Sequence, residues 1–140
     1  MTTEHKEGGC LCGKVRYSVA WPPLTIVTCA CANCQRHSGG AVSVIAVSKR
    51  EDLDLRGDLR SYTDKGHTGG DVYREFCPNC GSAVITDTPT ARANEIIFIK
   101  AGTLDETRDL EPSAHCWTGE GQKWMVYPEG APTMIQQEDF

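Results

Sequence analysis

Eight cysteines fall in short blocks along 140 residues: Cys10-x-Cys12, Cys29-x-Cys31-x-x-Cys34, Cys77-x-x-Cys80 and a solitary Cys116. This spacing limits the possible folds more than any apolar pattern in the chain. Thiols two residues apart are too close for a comfortable internal disulfide, yet well placed to share one metal ion. A disulfide framework is the competing reading. It belongs to exported chains, and the opening MTTEHKEGGC lacks the apolar core of a secretory signal. The sequence therefore predicts a cytoplasmic protein whose clustered thiols stay reduced and serve as metal ligands or catalytic groups.

The length suits a single domain over residues 1–140, with a core over about 8–127 and short polar ends. Apolar runs such as Ala41–Val47 and Ile96–Ile99 are far too short to span a bilayer. A net charge of −5 argues against a sequence-independent nucleic-acid binder, which needs a cationic surface to displace phosphate counterions.

Turn residues punctuate apolar runs of strand length. Val15, Tyr17 and Val19 alternate with Lys14, Arg16 and Ser18, as a half-buried strand does. Further strands are expected over Leu24–Thr28, Ala41–Ser48, Leu59–Thr63, Val72–Phe76, Ala83–Thr86 and Glu95–Lys100. Ile96-Ile97-Phe98-Ile99 places apolar groups on both faces, which predicts a central, doubly covered strand. No long window carries a helical period, so helices are expected only as short turns after Cys31 and around Thr103–Thr107. The fold class is mainly β, built of antiparallel sheets cross-linked by metal.

Cys10 and Cys12 project from one face of extended backbone. Cys77-Pro78-Asn79-Cys80-Gly81 has the form of a zinc knuckle, with Gly81 free to take the left-handed turn that follows such a loop. Four thiolates from these two loops make a closed, structural zinc site. Cys29, Cys31 and Cys34 offer only three. A fourth ligand from the protein would make that site structural, whereas water or substrate in that position would make it catalytic. Protein candidates for the position are Cys116, His37, His67 and His115. A two-knuckle ribbon joining Cys31 and Cys34 to Cys77 and Cys80 is a weaker division, because it strands Cys10, Cys12 and Cys29.

The cysteine blocks stand in Gly8-Gly9-Cys10-Leu11-Cys12-Gly13-Lys14-Val15-Arg16-Tyr17, in Cys29-x-Cys31-x-x-Cys34-Gln35-Arg36-His37-Ser38-Gly39 and in Phe76-Cys77-Pro78-Asn79-Cys80-Gly81-Ser82. With Ala101-Gly102-Thr103-Leu104-Asp105, His115-Cys116-Trp117 and Lys123-Trp124 downstream, the chain resembles the glutathione-dependent formaldehyde-activating enzyme family, whose domain is shared with centromere protein V. The resemblance runs from about Gly8 to Trp124. It implies a β-tent fold, also used by methionine-R-sulfoxide reductases, and two zinc ions. Cys10, Cys12, Cys77 and Cys80 would hold the structural ion. Cys29, Cys31 and Cys34 would hold a catalytic ion with an exchangeable fourth ligand.

The implied reaction is that of a carbon–sulfur lyase, joining glutathione to formaldehyde as S-(hydroxymethyl)glutathione or releasing it. Its partners are small molecules, a thiol and a carbonyl compound. Arg36 and His37 follow the catalytic ligands directly and are candidates to contact substrate or move a proton. A helix-end arginine and a surface histidine are the competing reading of the same pair. Two other functions remain open at this level. One is a non-catalytic, zinc-stabilised binding module with both ions fully ligated by protein. The other is a sulfoxide-reductase-like redox enzyme using Cys116.

Overall fold

Alternation in the amino-terminal half builds the first sheet. Val15, Tyr17 and Val19 are fully buried, while Arg16 and Ser18 between them stay half-buried, the period-two signature of a strand with one covered face. A computed structural model describes residues 4–136. It places Tyr17 and Val19 on β2 (Arg16–Trp21). This strand pairs antiparallel with β1 (Glu4–Gly9) on one side and β5 (Leu53–Arg56) on the other.

A second, larger sheet carries the remaining strands. These are β3 (Thr25–Cys29), β4 (Ser43–Lys49), β6 (Arg60–Lys65), β7 (Asp71–Phe76), β8 (Ala83–Asp87), β9 (Ile96–Lys100), β10 (Ala114–Cys116) and β11 (Thr133–Met134). Their spatial order is β11-β10-β3-β4-β9-β8-β7-β6. Pairing is antiparallel except at β10, which runs parallel to both β3 and β11. The expected class, mainly β and mainly antiparallel, is the one found.

The core lies where the two sheets meet. Val15, Tyr17 and Val19 share a buried cluster with Ala46, Ile85, Ile97 and Ile99 of the larger sheet. Ile97 and Ile99 supply one face of β9, and Phe98 lies on the other. The strand predicted to be covered on both sides is therefore central, between β4 and β8. Its second face lines a cleft.

Two short helices complete the fold. The turn expected after Cys31 is α1 (Ala32–Ser38). The second, α2 (Pro89–Ala93), starts at Thr88, whose hydroxyl accepts from the Ala91 amide at 2.9 Å. Thr88-Pro89 supplies a helix start, a threonine cap followed by proline at the first helical position, where no helix was expected. Buried Asp87 anchors this helix to the sheet by accepting from Arg50 at 2.6 Å and Arg92 at 2.8 Å.

The helical turn expected at Thr103–Thr107 does not form there. A single 3-10 turn spans Ala101–Thr103 instead. Leu104 then bridges to Gly8, and the Asp105 amide donates to the Glu7 carbonyl at 2.9 Å. Backbone donors that a helix would need are already used at the edge of β1, and burial of Leu104 in the core holds the chain there.

Candidate metal centres

Cys10 and Cys12 sit in the connection between β1 and β2, and Cys77 and Cys80 in the connection between β7 and β8. Gly13 (φ +81°) and Gly81 (φ +79°) take the left-handed backbone that turns each loop back beneath its sulfurs. All four sulfurs lie within 4.8 Å of one another. Cys10 and Cys12 are 3.6 Å apart, and Cys12 and Cys77 are 3.8 Å apart. Four sulfurs around zinc at about 2.3 Å lie about 3.8 Å apart along a tetrahedral edge, so the donor set fits that ion. No disulfide links any of the eight cysteines.

Hydrogen bonds hold these sulfurs in their ligating form. The Val15 amide donates to Cys10 Sγ at 3.2 Å. Ser82 Oγ accepts from the Leu11 amide at 3.0 Å and stands 3.3 Å from Cys80 Sγ. One hydroxyl thus touches both loops. Donation from Ser82, side chain first and then backbone, pulls the Cys80 thiol down to about 5.

The second cluster forms where β3 runs into α1. Cys29 ends the strand, and Cys31 caps the helix with its sulfur, which accepts from the Cys34 amide at 3.3 Å. Cys34, one turn on, points inward and is buried. The three sulfurs lie within 4.8 Å of one another. Among the described residues, no fourth cysteine, histidine or carboxylate atom joins the group.

Two buried cations surround this triad. Arg74, on β7, places Nη1 4.0 Å from Cys34 Sγ and donates through Nε to Asp64 at 3.0 Å. Asn33 donates to the same Asp64 oxygen at 2.9 Å, which ties α1 to β6. Lys100 ends β9 and donates to Ser43 Oγ at 2.7 Å, and Ser43 stands opposite Cys29 in the β3–β4 register. Donation from the Cys29 and Cys31 thiols, then the charges of Lys100 and Arg74, pulls Cys34 down to about 2. Cys29 is pushed up, because it keeps the proton that it shares with Cys31 and Cys34. Burial pulls Lys100 down, and the neighbouring sulfurs oppose that shift. A zinc ion bound by three thiolates would retain one excess negative charge, which these two cations are placed to offset.

A cleft of about 440 Å³ opens from the triad. Its floor is one face of the larger sheet, drawn from five neighbouring strands: β3, β4, β9, β8 and β7. Cys29, Cys31, Cys34 and Arg74 line one part, with Cys116, Trp117 and His67 on the walls. Trp117 holds a φ of +58°, a conformation that bulky residues rarely adopt, and meets His67 edge-on at 5.2 Å.

The residues singled out in the sequence therefore separate. Cys116 lines the cleft beside Cys29, its partner across β3 and β10. His115 points away, buried, with Nδ1 2.7 Å from the Thr28 hydroxyl. His37 is half-buried outside the cleft lining, and neither ring nitrogen has a hydrogen-bond partner. Burial, Lys100 and Arg74 pull its imidazole down to about 4. Arg36 is exposed on α1, also outside the lining. Trp124 is two-thirds exposed and covers no core. Arg74 and Lys100 were not anticipated. Their signal was a cation inside a strand run, Val72–Phe76 and Ile96–Lys100, at even spacing from Val72 and Phe98.

Two cysteine clusters, one closed by four sulfurs and one of three sulfurs facing a cleft, define a mainly β protein whose thiols are placed so that they could hold metal ions. The chain belongs to the family described as glutathione-dependent formaldehyde-activating enzyme, whose pattern it matches over residues 5–120. No curated protein matches its sequence. Among solved structures, it is similar to a Rhodobacter sphaeroides protein from a structural-genomics programme, with a TM-score of 0.54 and 22% identity. That match covers 74% of this chain and 91% of the other. At that identity the likeness is one of fold.

Proposed function

We propose that the protein is a zinc-dependent enzyme of carbon–sulfur lyase type, which adds a thiol to a small aldehyde or removes it. Glutathione and formaldehyde are the pair the family description names. The observation that carries this reading is the sulfur triad at a cleft, with no fourth protein ligand among the described residues. Cys29, Cys31 and Cys34 would hold the catalytic ion; Cys10, Cys12, Cys77 and Cys80 would hold the structural one. Zinc held by these three sulfurs would supply positive charge that favours thiolate over thiol in the incoming reactant.

The chain's own residues do the rest. In the forward direction a carbon–sulfur bond forms, the carbonyl π pair moves to oxygen, and the thiol's proton ends on that oxygen. Arg74, cationic and partly facing the cleft, stabilises negative charge on sulfur before addition and on oxygen after it. Lys100 adds to the same field from behind Ser43. The apolar walls keep water from competing and hold the two reactants together. Arg36 is assigned no contact with substrate, and His37 is assigned to the surroundings of Cys34 rather than to the cleft.

We take residues 1–140 as one domain that acts in the cytoplasm on small molecules. The acidic balance disfavours nucleic acid, and no described helix is long and apolar enough to cross a membrane. A Cys116-based redox reaction is disfavoured, because burial and the neighbouring Cys34 sulfur push that thiol up, away from the thiolate.

Loss of formaldehyde is the test, followed with and without glutathione in zinc-loaded protein and in Cys31→Ser. Thiol-dependent turnover confined to the unaltered protein is expected. Equal rates for protein, variant and buffer would overturn the proposal.

A further inference from the structure

The two ends of the cleft floor come together in space. In the larger sheet β7 and β10 are separated by β8, β9, β4 and β3. Yet His67, in the hairpin between β6 and β7, meets Trp117, the residue after β10, with ring centroids 5.2 Å apart. Both residues line the cleft, so sheet and contact together encircle it. The strands of that ring are joined by backbone ladders. The seam between His67 and Trp117 is a contact of two rings.

The two sides of the seam differ. Trp117 takes a φ of +58° as the chain leaves β10 for a 3-10 turn over Thr118–Glu120, a conformation that a bulky residue holds only where its surroundings impose it. It sets the indole on the cleft wall opposite the hairpin. His67 stands in Gly66-His67-Thr68-Gly69-Gly70. This turn is closed by the Gly66 amide donating to the Gly70 carbonyl at 2.7 Å, and Gly69 takes left-handed backbone at φ +92°. Glycines on both sides of the tip let it swing by rotation about a few backbone bonds. The Gln136 side-chain amide donates to His67 Nε2, a second tie that opening breaks. His67 is exposed and Trp117 half-buried, so little core is lost when the rings part.

The geometry points to a size gate: His67 and Trp117 are specificity-determining residues that set how wide a reactant reaches the sulfur triad. With the rings in contact, a carbonyl compound as small as formaldehyde passes. A reactant as wide as a phenyl ring enters when the hairpin swings away. The gate specifies which reactants the proposed thiol–carbonyl chemistry takes, and rests on that reading only for the turnover arm of its test.

Cys116 reports on the gate without turnover, because it lines the cleft next to Trp117 and stands outside both sulfur clusters. Zinc-loaded protein is treated with N-methylmaleimide or N-pyrenylmaleimide, and addition at Cys116 is timed by peptide mass spectrometry. His67→Ala is expected to speed the pyrenyl reagent roughly three- to tenfold, and the methyl reagent by less than about twofold. Trp117→Gly, which suits the left-handed backbone, is expected to do the same. The double variant should gain no more than either alone, since one contact needs both rings. With formaldehyde as the common partner, kcat/KM for phenylmethanethiol relative to ethanethiol should rise by the same factor in each variant. Labelling that ignores reagent size, variants that speed both reagents alike, or effects that add in the double variant each overturn the inference. Size-selective labelling with no turnover of these thiols or of glutathione overturns the lyase reading instead, and leaves the gate standing.

Discussion

The two cysteine clusters use the same ligand chemistry in opposite settings. The four-sulfur cluster lies between two strand connections, with Cys12 exposed, and hydroxyl and amide donors surround it. It joins the three-stranded sheet to the turn between β7 and β8. The three-sulfur cluster is sunk between a strand end and a helix start, flanked by buried Arg74 and Lys100, and it faces a cleft. Four sulfurs would complete the coordination of an ion, whereas three beside a cleft would leave a place for a reactant. The surroundings differ for the same reason. A closed site needs neutral donors to fix its ligands, whereas an open one also needs cations to hold an incoming anion.

The largest expected effect lies in the closed cluster. Cys77→Ser should remove one of two zinc ions and cost about 5–10 kcal/mol, most of the stability of a domain this size. Metal analysis together with thermal unfolding reads both. If Cys31→Ser proved equally destabilising, the contrast between the clusters would collapse and both would be structural.

Cys31→Ser is instead expected to cut turnover by more than about a hundredfold, with a melting shift less than half that of Cys77→Ser. Next comes Lys100→Met, which removes a buried charge while keeping the shape of the chain. A fall of about 10–100-fold in kcat/KM is expected, with the melting temperature held or raised, because a buried ammonium costs stability. Activity and stability falling together would show Lys100 to be packing rather than part of the field around the triad.

The smallest effect concerns pH. His37 has its imidazole pulled down to about 4, so the folded chain binds fewer protons than the unfolded chain between that value and about 6.5. Stability should therefore fall on acidification through this window. Replacing His37 with Gln should flatten that part of the profile relative to the unaltered protein, each measured by chemical denaturation. An unchanged slope would mean that the ring is hydrated and only loosely attached to the triad's surroundings.

Much of this was legible in the residues. Strong alternation located β2, and β-branched runs located β3, β4, β7, β8 and β9. Short cysteine spacings sorted seven thiols into four and three. The elements that escaped were those with little signal of their own. Glu4–Gly9 is polar and glycine-rich, and becomes a strand because β2 offers it an edge. Ala114–Cys116 has three residues and pairs because β3 and β11 flank it. Arg36 and His37 drew notice by standing next to the ligands in sequence, yet neither lines the cleft. Arg74 and Lys100, 40 or more positions from Cys34, are the residues beside it in space.

Local chemistry explains the division. Which thiols can share an ion follows from backbone spacing over two to five residues, and a strand's buried face follows from period-two alternation; both are properties of a short segment. Whether the triad has a fourth ligand, which cations face it and how apolar its cleft is depend on where β7, β9 and β10 cross the ends of β3 and α1. Those positions come from sheet order and register, and only tertiary packing sets them.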